Sequence, residues 1–131
     1  GVEITSIAAI PAKGTGLGSS SSFTVGLLNA LNAYKNIHSS SEKLGIDSCK
    51  IEIDICKEPI GKQDQYAAAF GGFNLIEFKK DDSVIVSPVI TSKKTIEEIQ
   101  KNTILFYTGI TRSASSILVE QKNLNCSVKN L

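Results

Sequence analysis

The sequence has no excess of charge of one sign: 14 Lys and Arg stand against 13 Asp and Glu in 131 residues. No basic field therefore points to nucleic acid, and no nucleic-acid partner is expected. It also lacks any apolar run long enough to cross a bilayer, so no membrane partner is expected either. Gly1-Val2-Glu3-Ile4 has neither the basic nor the apolar pattern of a secretion signal. The three cysteines, Cys49, Cys56 and Cys126, form no CxxC pair and no evenly spaced framework. Reduced thiols in a cytoplasmic protein are the expectation that follows. Internal repeats are absent, and low complexity is confined to one serine run.

What is present is the composition of a soluble globular protein, 41% hydrophobic and 21% charged. A chain of this length makes one domain with a real core but is short for a two-lobed enzyme. Ile4 to Ile10 reads as a strand already under way at the first residue, while Asn123 to Leu131 trails off polar. The chain is expected to be a piece of something longer. Between these ends, Pro11 to Ser22 is a glycine- and serine-rich loop in which Ser19 or Ser20 is placed to cap a helix. Apolar residues at Phe23, Leu27, Leu28, Ala30, Leu31 and Tyr34 then give helix spacing to about Asn36. Ser41 to Cys56 is ambiguous, because Ile51-Glu52-Ile53-Asp54-Ile55 alternates like a strand while Cys49, Ile53 and Cys56 share a helical face. Further on come a short helix over Gln63 to Phe70 ended by Gly71-Gly72, and a hairpin of 73–78 with 84–86. An amphipathic helix over Thr95 to Lys101, a buried strand over Ile104 to Tyr107 and a last helix over Ser113 to Gln121 follow.

The chemistry begins with Gly14-Thr15-Gly16-Leu17-Gly18-Ser19-Ser20-Ser21-Ser22, set between a strand and a helix. Glycines let backbone amides turn inward to an anion without obstruction by Cβ, and the following helix aims its free amides at the same place. Serine hydroxyls add donors to phosphate and oxygen ligands for a hard cation such as Mg²⁺. A Walker loop is excluded, since no lysine precedes Ser19-Ser20, and GxGxG at Gly14, Gly16 and Gly18 is not the dinucleotide GxGxxG. The plain alternative is a flexible loop capped by serine.

Gly16-Leu17-Gly18-Ser19-Ser20 followed by small residues and an apolar helix resembles the second conserved motif of the GHMP kinases. The resemblance implies ATP and Mg²⁺ as cofactors, with Gly14, Gly16, Leu17, Gly18, Ser19, Ser20 and Ser21 around the ATP phosphates. Ser20 is then the implied magnesium ligand. One departure is the extra residue in Pro11-Ala12-Lys13-Gly14-Thr15-Gly16-Leu17, where Lys13 reads as a solvent-facing lysine.

Asp64, just after a break and just before a short helix, reads on its own as an ordinary helix cap. Phosphoryl transfer to a hydroxyl does need such a carboxylate to orient the hydroxyl and take its proton. Glu52 followed by Gly61-Lys62-Gln63-Asp64-Gln65 resembles the stretch where GHMP sugar kinases place a metal-binding glutamate and then a catalytic aspartate. On that resemblance Glu52 is a metal ligand, Asp64 is the base, and 41–57 is helical against its local alternation. Ile60 to Gly72, and Phe106-Tyr107-Thr108-Gly109-Ile110-Thr111-Arg112-Ser113, are similar to the GHMP kinases acting on D-glycero-D-manno-heptose 7-phosphate, with parts shared by relatives acting on fucose. Arg112 could grip a sugar phosphate through paired hydrogen bonds or merely support its loop, and Lys62 could tune Asp64 or simply be solvated.

The implied fold is α+β and GHMP kinase-like. Residues 1–90 would be the C-terminal part of an S5-like N-terminal, ATP-binding lobe, and 91–131 would open a ferredoxin-like C-terminal lobe. The implied reaction is transfer of the γ-phosphate of ATP to the anomeric hydroxyl of a sugar phosphate. The family's first and third motifs are not found, so the chain by itself is expected to be inactive and to self-associate through surfaces exposed by truncation. A catalytically silent remnant with weak nucleotide affinity is the alternative.

Overall fold

A computed structural model describes residues 1–7 and 16–106. Its elements are α1 (Ser19–Tyr34), α2 (Ser41–Cys49) running directly into a π-helical stretch (Lys50–Ile55), α3 (Gln63–Phe70), β1 (Asn74–Phe78), β2 (Val84–Pro88) and α4 (Lys93–Lys101). Two compact units divide at Phe70–Gly71. The first holds the three packed helices; the second holds the hairpin and α4.

Helix α1 starts differently from the serine-capped helix expected. Gly18 occupies the cap position at φ 64°, and no side chain accepts a hydrogen bond from the first-turn amides. A left-handed cap suits glycine because it has no Cβ to clash. The serines consequently lie inside the first turn, where their hydroxyls are released for other partners. The helix ends in a Schellman motif: Asn36 sits at φ 58°, Ile37 N–H donates to Asn32 O at 2.8 Å, and Asn36 N–H donates to Ala33 O at 2.9 Å. The covered stripe runs through Ser21, Val25, Leu28 and Asn32, and Phe23 and Tyr34 are exposed. Counting apolar positions alone misplaces that face, because two of its members are polar.

The helix expected over 41–57 forms, as α2 and its π-helical continuation. Ser40 caps it by accepting from Lys43 N–H at 3.2 Å, and an exposed Lys43–Asp47 pair at 2.6 Å spans one turn. Gly45, weak helix material by propensity, is explained by packing: a Cβ there would lie 3.3 Å from the Tyr66 ring of α3. The wider turns show in Cys56 N–H donating to Ile51 O at 2.9 Å, and Lys57 at φ 57° ends the run.

In the second unit β1 and β2 pair antiparallel with Ile76 opposite Val86 and Phe78 opposite Val84. The connection is closed by Asp82 N–H on Lys79 O at 3.2 Å, with Asp82 in the left-handed region at φ 66°. Pro88 lies at the strand's end, where a missing N–H costs least. Ser92 caps α4 by accepting from Thr95 N–H at 3.1 Å, and the helix starts at Lys93, two residues ahead of the start expected from its pattern.

Two strand expectations are corrected. Ile4 to Ile7 form no strand, and neither do Ile104 to Phe106. Among the described residues nothing pairs with either, and a β-favouring run without a partner edge makes no ladder. The rest of those two expectations, and the helix over 113–121, lie outside the described residues. No described helix is long and apolar enough to cross a membrane.

Candidate active site

The site is built where the first turn of α1 meets the π-helical stretch and α3. Ser21, in that turn, is buried and donates its hydroxyl to Glu52 Oε2 at 2.8 Å. Gln65 of α3 donates its side-chain amide to the same oxygen at 2.5 Å. Glu52 is only 6% exposed. Ile55, three residues on, is 66% exposed, so the stretch buries its acid and shows an isoleucine to solvent. That inverts ordinary partitioning and explains why alternation in Ile51–Ile55 misleads. The helix is turned so that Glu52 faces the serine loop.

A buried carboxylate is costly unless its lone pairs are satisfied. Here two neutral donors converge on one oxygen. Among the described residues no cationic side chain pairs with Glu52.

Asp64 meets the loop at Gly18. It is exposed in the first turn of α3, yet a Cβ on Gly18 would sit 3.1 Å from its Cγ and 3.2 Å from Oδ2. The carboxylate thus reaches the loop backbone at a position that, with its positive φ, suits only glycine. Gly16 is also left-handed, at φ 68°. Its neighbour Leu17 is exposed.

Of the other expected site residues, Ser19 is half-buried and Ser20 is exposed, with the Ser20 carbonyl accepting from Thr24 Oγ1 at 3.0 Å. It is Ser21, rather than Ser20, whose hydroxyl meets Glu52. Lys62 is half-buried, and its charge bears on Cys49 and Tyr66. Burial pushes the Cys49 thiol and the Tyr66 phenol up from their ordinary values, and Lys62 opposes both shifts by favouring the ionised forms. Gly14 and Arg112 lie outside the described residues.

Gln65 is the functional candidate that sequence reading missed. It lies beside the buried Tyr66 on α3, but a glutamine next to a candidate base carries no pattern signal of burial. It is 0% exposed, and among the described residues its Oε1 has no hydrogen-bond partner.

A model of the GHMP kinases N terminal domain matches residues 1–72, more than half of the chain, and the chain belongs to that family. It is 37% identical over 110 residues to the D-glycero-alpha-D-manno-heptose 7-phosphate kinase of Campylobacter jejuni, covering 84% of this chain and 32% of that protein. It is 34% identical over 114 residues to the galactokinase of Pyrococcus furiosus, covering 85% of this chain and 30% of that one. The L-fucokinase/L-fucose-1-P guanylyltransferase of Bacteroides fragilis is 33% identical over 122 residues, which is 92% of this chain and 13% of that protein. The chain therefore spans about a third or less of the length of these sugar-kinase relatives.

Proposed function

We propose that this chain is the phosphate-handling part of an ATP-dependent sugar kinase that phosphorylates the anomeric hydroxyl of a sugar phosphate. D-glycero-D-manno-heptose 7-phosphate is the first candidate substrate, on the similarity to the Campylobacter jejuni kinase. The observation that carries the reading is the convergence of two carboxylates on one helix start, Asp64 against Gly18 and Glu52 against Ser21. Helix α1 begins with amides that no side chain caps, beside a left-handed glycine, which is the arrangement that receives phosphate oxygens.

In this reading Gly14, Gly16, Leu17, Gly18, Ser19, Ser20 and Ser21 hold the triphosphate of ATP. Asp64 orients the sugar hydroxyl and takes its proton as that oxygen bonds to the γ-phosphorus and ADP leaves. Arg112 and Lys62 hold the phosphate already on the sugar, Arg112 through a planar fork and Lys62 as a point charge. Glu52 and Ser20 are the residues that would hold Mg²⁺, which is ordinarily bound by one or two carboxylates together with substrate phosphates. The fit is consistent with Glu52, whose buried charge meets only neutral donors among the described residues. Bound there, the ion would neutralise charge on the phosphates.

We assign residues 1–90 to the C-terminal part of the ATP-binding lobe and 91–131 to the start of the second lobe, in a cytoplasmic enzyme. Because the chain spans 32% of the heptose kinase, a second reading is kept for the isolated 131 residues: nucleotide binding without turnover, and self-association. A coupled ADP-release assay over a panel of sugars and sugar phosphates, run on this chain and on the full-length protein, tests both. Turnover by the longer protein with a sugar phosphate supports the reading. ADP release that no sugar stimulates overturns it.

A further inference from the structure

Gln65 has no place in the reaction just described, yet it is the most completely buried large side chain among the described residues. Its Nε2 lies 2.5 Å from Glu52 Oε2, the oxygen that Ser21 also reaches. Its other end is unsatisfied among the described residues, where Oε1 is buried without a partner. A buried amide left half-paired is a poor choice for stability alone, because an apolar side chain of the same shape would avoid that cost. The carboxylate needs donors, and the amide's NH₂ end supplies one that an apolar chain cannot. Gln65 also follows Asp64 directly on α3. One rigid turn of helix therefore carries the residue that meets Gly18 and the residue that grips Glu52.

We propose that Gln65 is a positioning residue that fixes the Glu52 carboxylate relative to the first turn of α1 and ties its place to that of Asp64. The proposal rests on the kinase reading for its functional consequence, while the contact stands on geometry alone. Groups that orient a ligand side chain from behind typically change metal affinity or activity by about 10–100-fold when removed.

The test uses the full-length protein as wild type, Gln65→Met, Glu52→Gln and the double variant. Methionine keeps the unbranched length and removes the donor; should Gln65→Met fail to fold by urea midpoint, Gln65→Asn, one methylene short, takes its place. Two readouts are taken: Mn²⁺–nucleotide affinity by calorimetry, and kcat with KM for the sugar substrate. Gln65→Met should weaken Mn²⁺–nucleotide binding and lower kcat, each by about 10-fold or more, with the sugar KM within about 2-fold of wild type. In the Glu52→Gln background the same change should cost less than about 2-fold further, because a residue acting through Glu52 has nothing left to position. Wild-type-like values for Gln65→Met, or losses that multiply independently of Glu52→Gln, overturn the proposal. If the wild-type protein turns over no sugar while the binding cycle behaves as stated, the kinase reading fails and the positioning role stands.

Discussion

The three-helix unit and the hairpin–α4 unit obey different rules. In residues 71–106 no side chain is buried, and local chemistry settles every element: cross-strand Ile76 and Val86, a left-handed Asp82 at the turn, a Ser92 cap, and Lys93–Glu97 and Lys94–Glu98 pairs one turn apart at 3.9 and 4.0 Å. In residues 19–70, glycine aside, half of the buried residues are polar. Ser21, Ser48, Glu52 and Gln65 are buried with Val25, Leu44, Cys49 and Tyr66. A core that gives its best-shielded positions to a carboxylate and its donors is not what burial of apolar surface alone would select. The contrast can be broken or sharpened by substitution, since changes in the helical unit should cost far more than changes in the other.

The largest effect is expected at Asp64. Asp64→Asn in the full-length protein should lower kcat by on the order of 10²–10⁴ with little change in ATP affinity, measured by steady-state kinetics and calorimetry. Near-normal turnover would leave Asp64 as a first-turn acid of α3, favourable at a helix N-terminus. Next comes the close approach of α2 to α3. Gly45→Val places a branched side chain where even a Cβ is 3.3 Å from the Tyr66 ring, and should destabilise by about 1–3 kcal/mol in urea unfolding.

A smaller effect concerns the thiols. Cys49 is buried with a raised pKa, whereas Cys56 is exposed. In a Cys126→Ser background at pH 8, alkylation followed by peptide mass analysis should modify Cys56 at least about 10-fold faster. The sign of the accompanying pH effect follows. Because the folded-state pKa lies above the unfolded value, the contribution is fully present below about pH 8.5 and is lost as pH rises through the folded pKa. Tyr66 acts in the same direction above about pH 10.

The smallest effect is in the hairpin. Ser83 N–H and Oγ both donate to Asp81 Oδ1, at 3.1 and 2.6 Å, and hold that carboxyl below its usual range. Ser83→Ala should move the Asp81 titration upward by NMR, with no measurable change in activity. The depressed pKa means its contribution is present above the unfolded value and is lost as pH falls through the folded one.

The same contrast explains what the sequence made legible. The helix over Gln63–Phe70, the hairpin and the amphipathic α4 follow from period, turn chemistry and capping, all of which are local. The glycine–serine loop reads from sequence as a candidate anion site because the chemistry that suggests it lies in consecutive residues. Glu52 was not legible from its neighbours: Ile51–Ile55 alternates like a strand, and only the family resemblance made it helical. Ser21, rather than Ser20, as the partner of Glu52 depends on which hydroxyl the Gly18 cap turns inward. Gln65 was passed over because a glutamine beside a candidate base reads as surface until α2 and α3 are packed together. Long-range burial of polar groups is the part that pattern does not encode.

The central claim is that the first turn of α1, flanked by Glu52 and Asp64, receives the phosphates of a nucleotide. Titrating the ¹⁵N-labelled full-length protein with Mg²⁺ and a non-hydrolysable ATP analogue tests it directly. The largest amide shifts should fall on Gly16 to Ser21, with changes at the Gln65 side-chain amide and little movement across Asn74 to Pro88. Binding that leaves Gly16 to Ser21 unshifted while perturbing residues elsewhere would contradict the account.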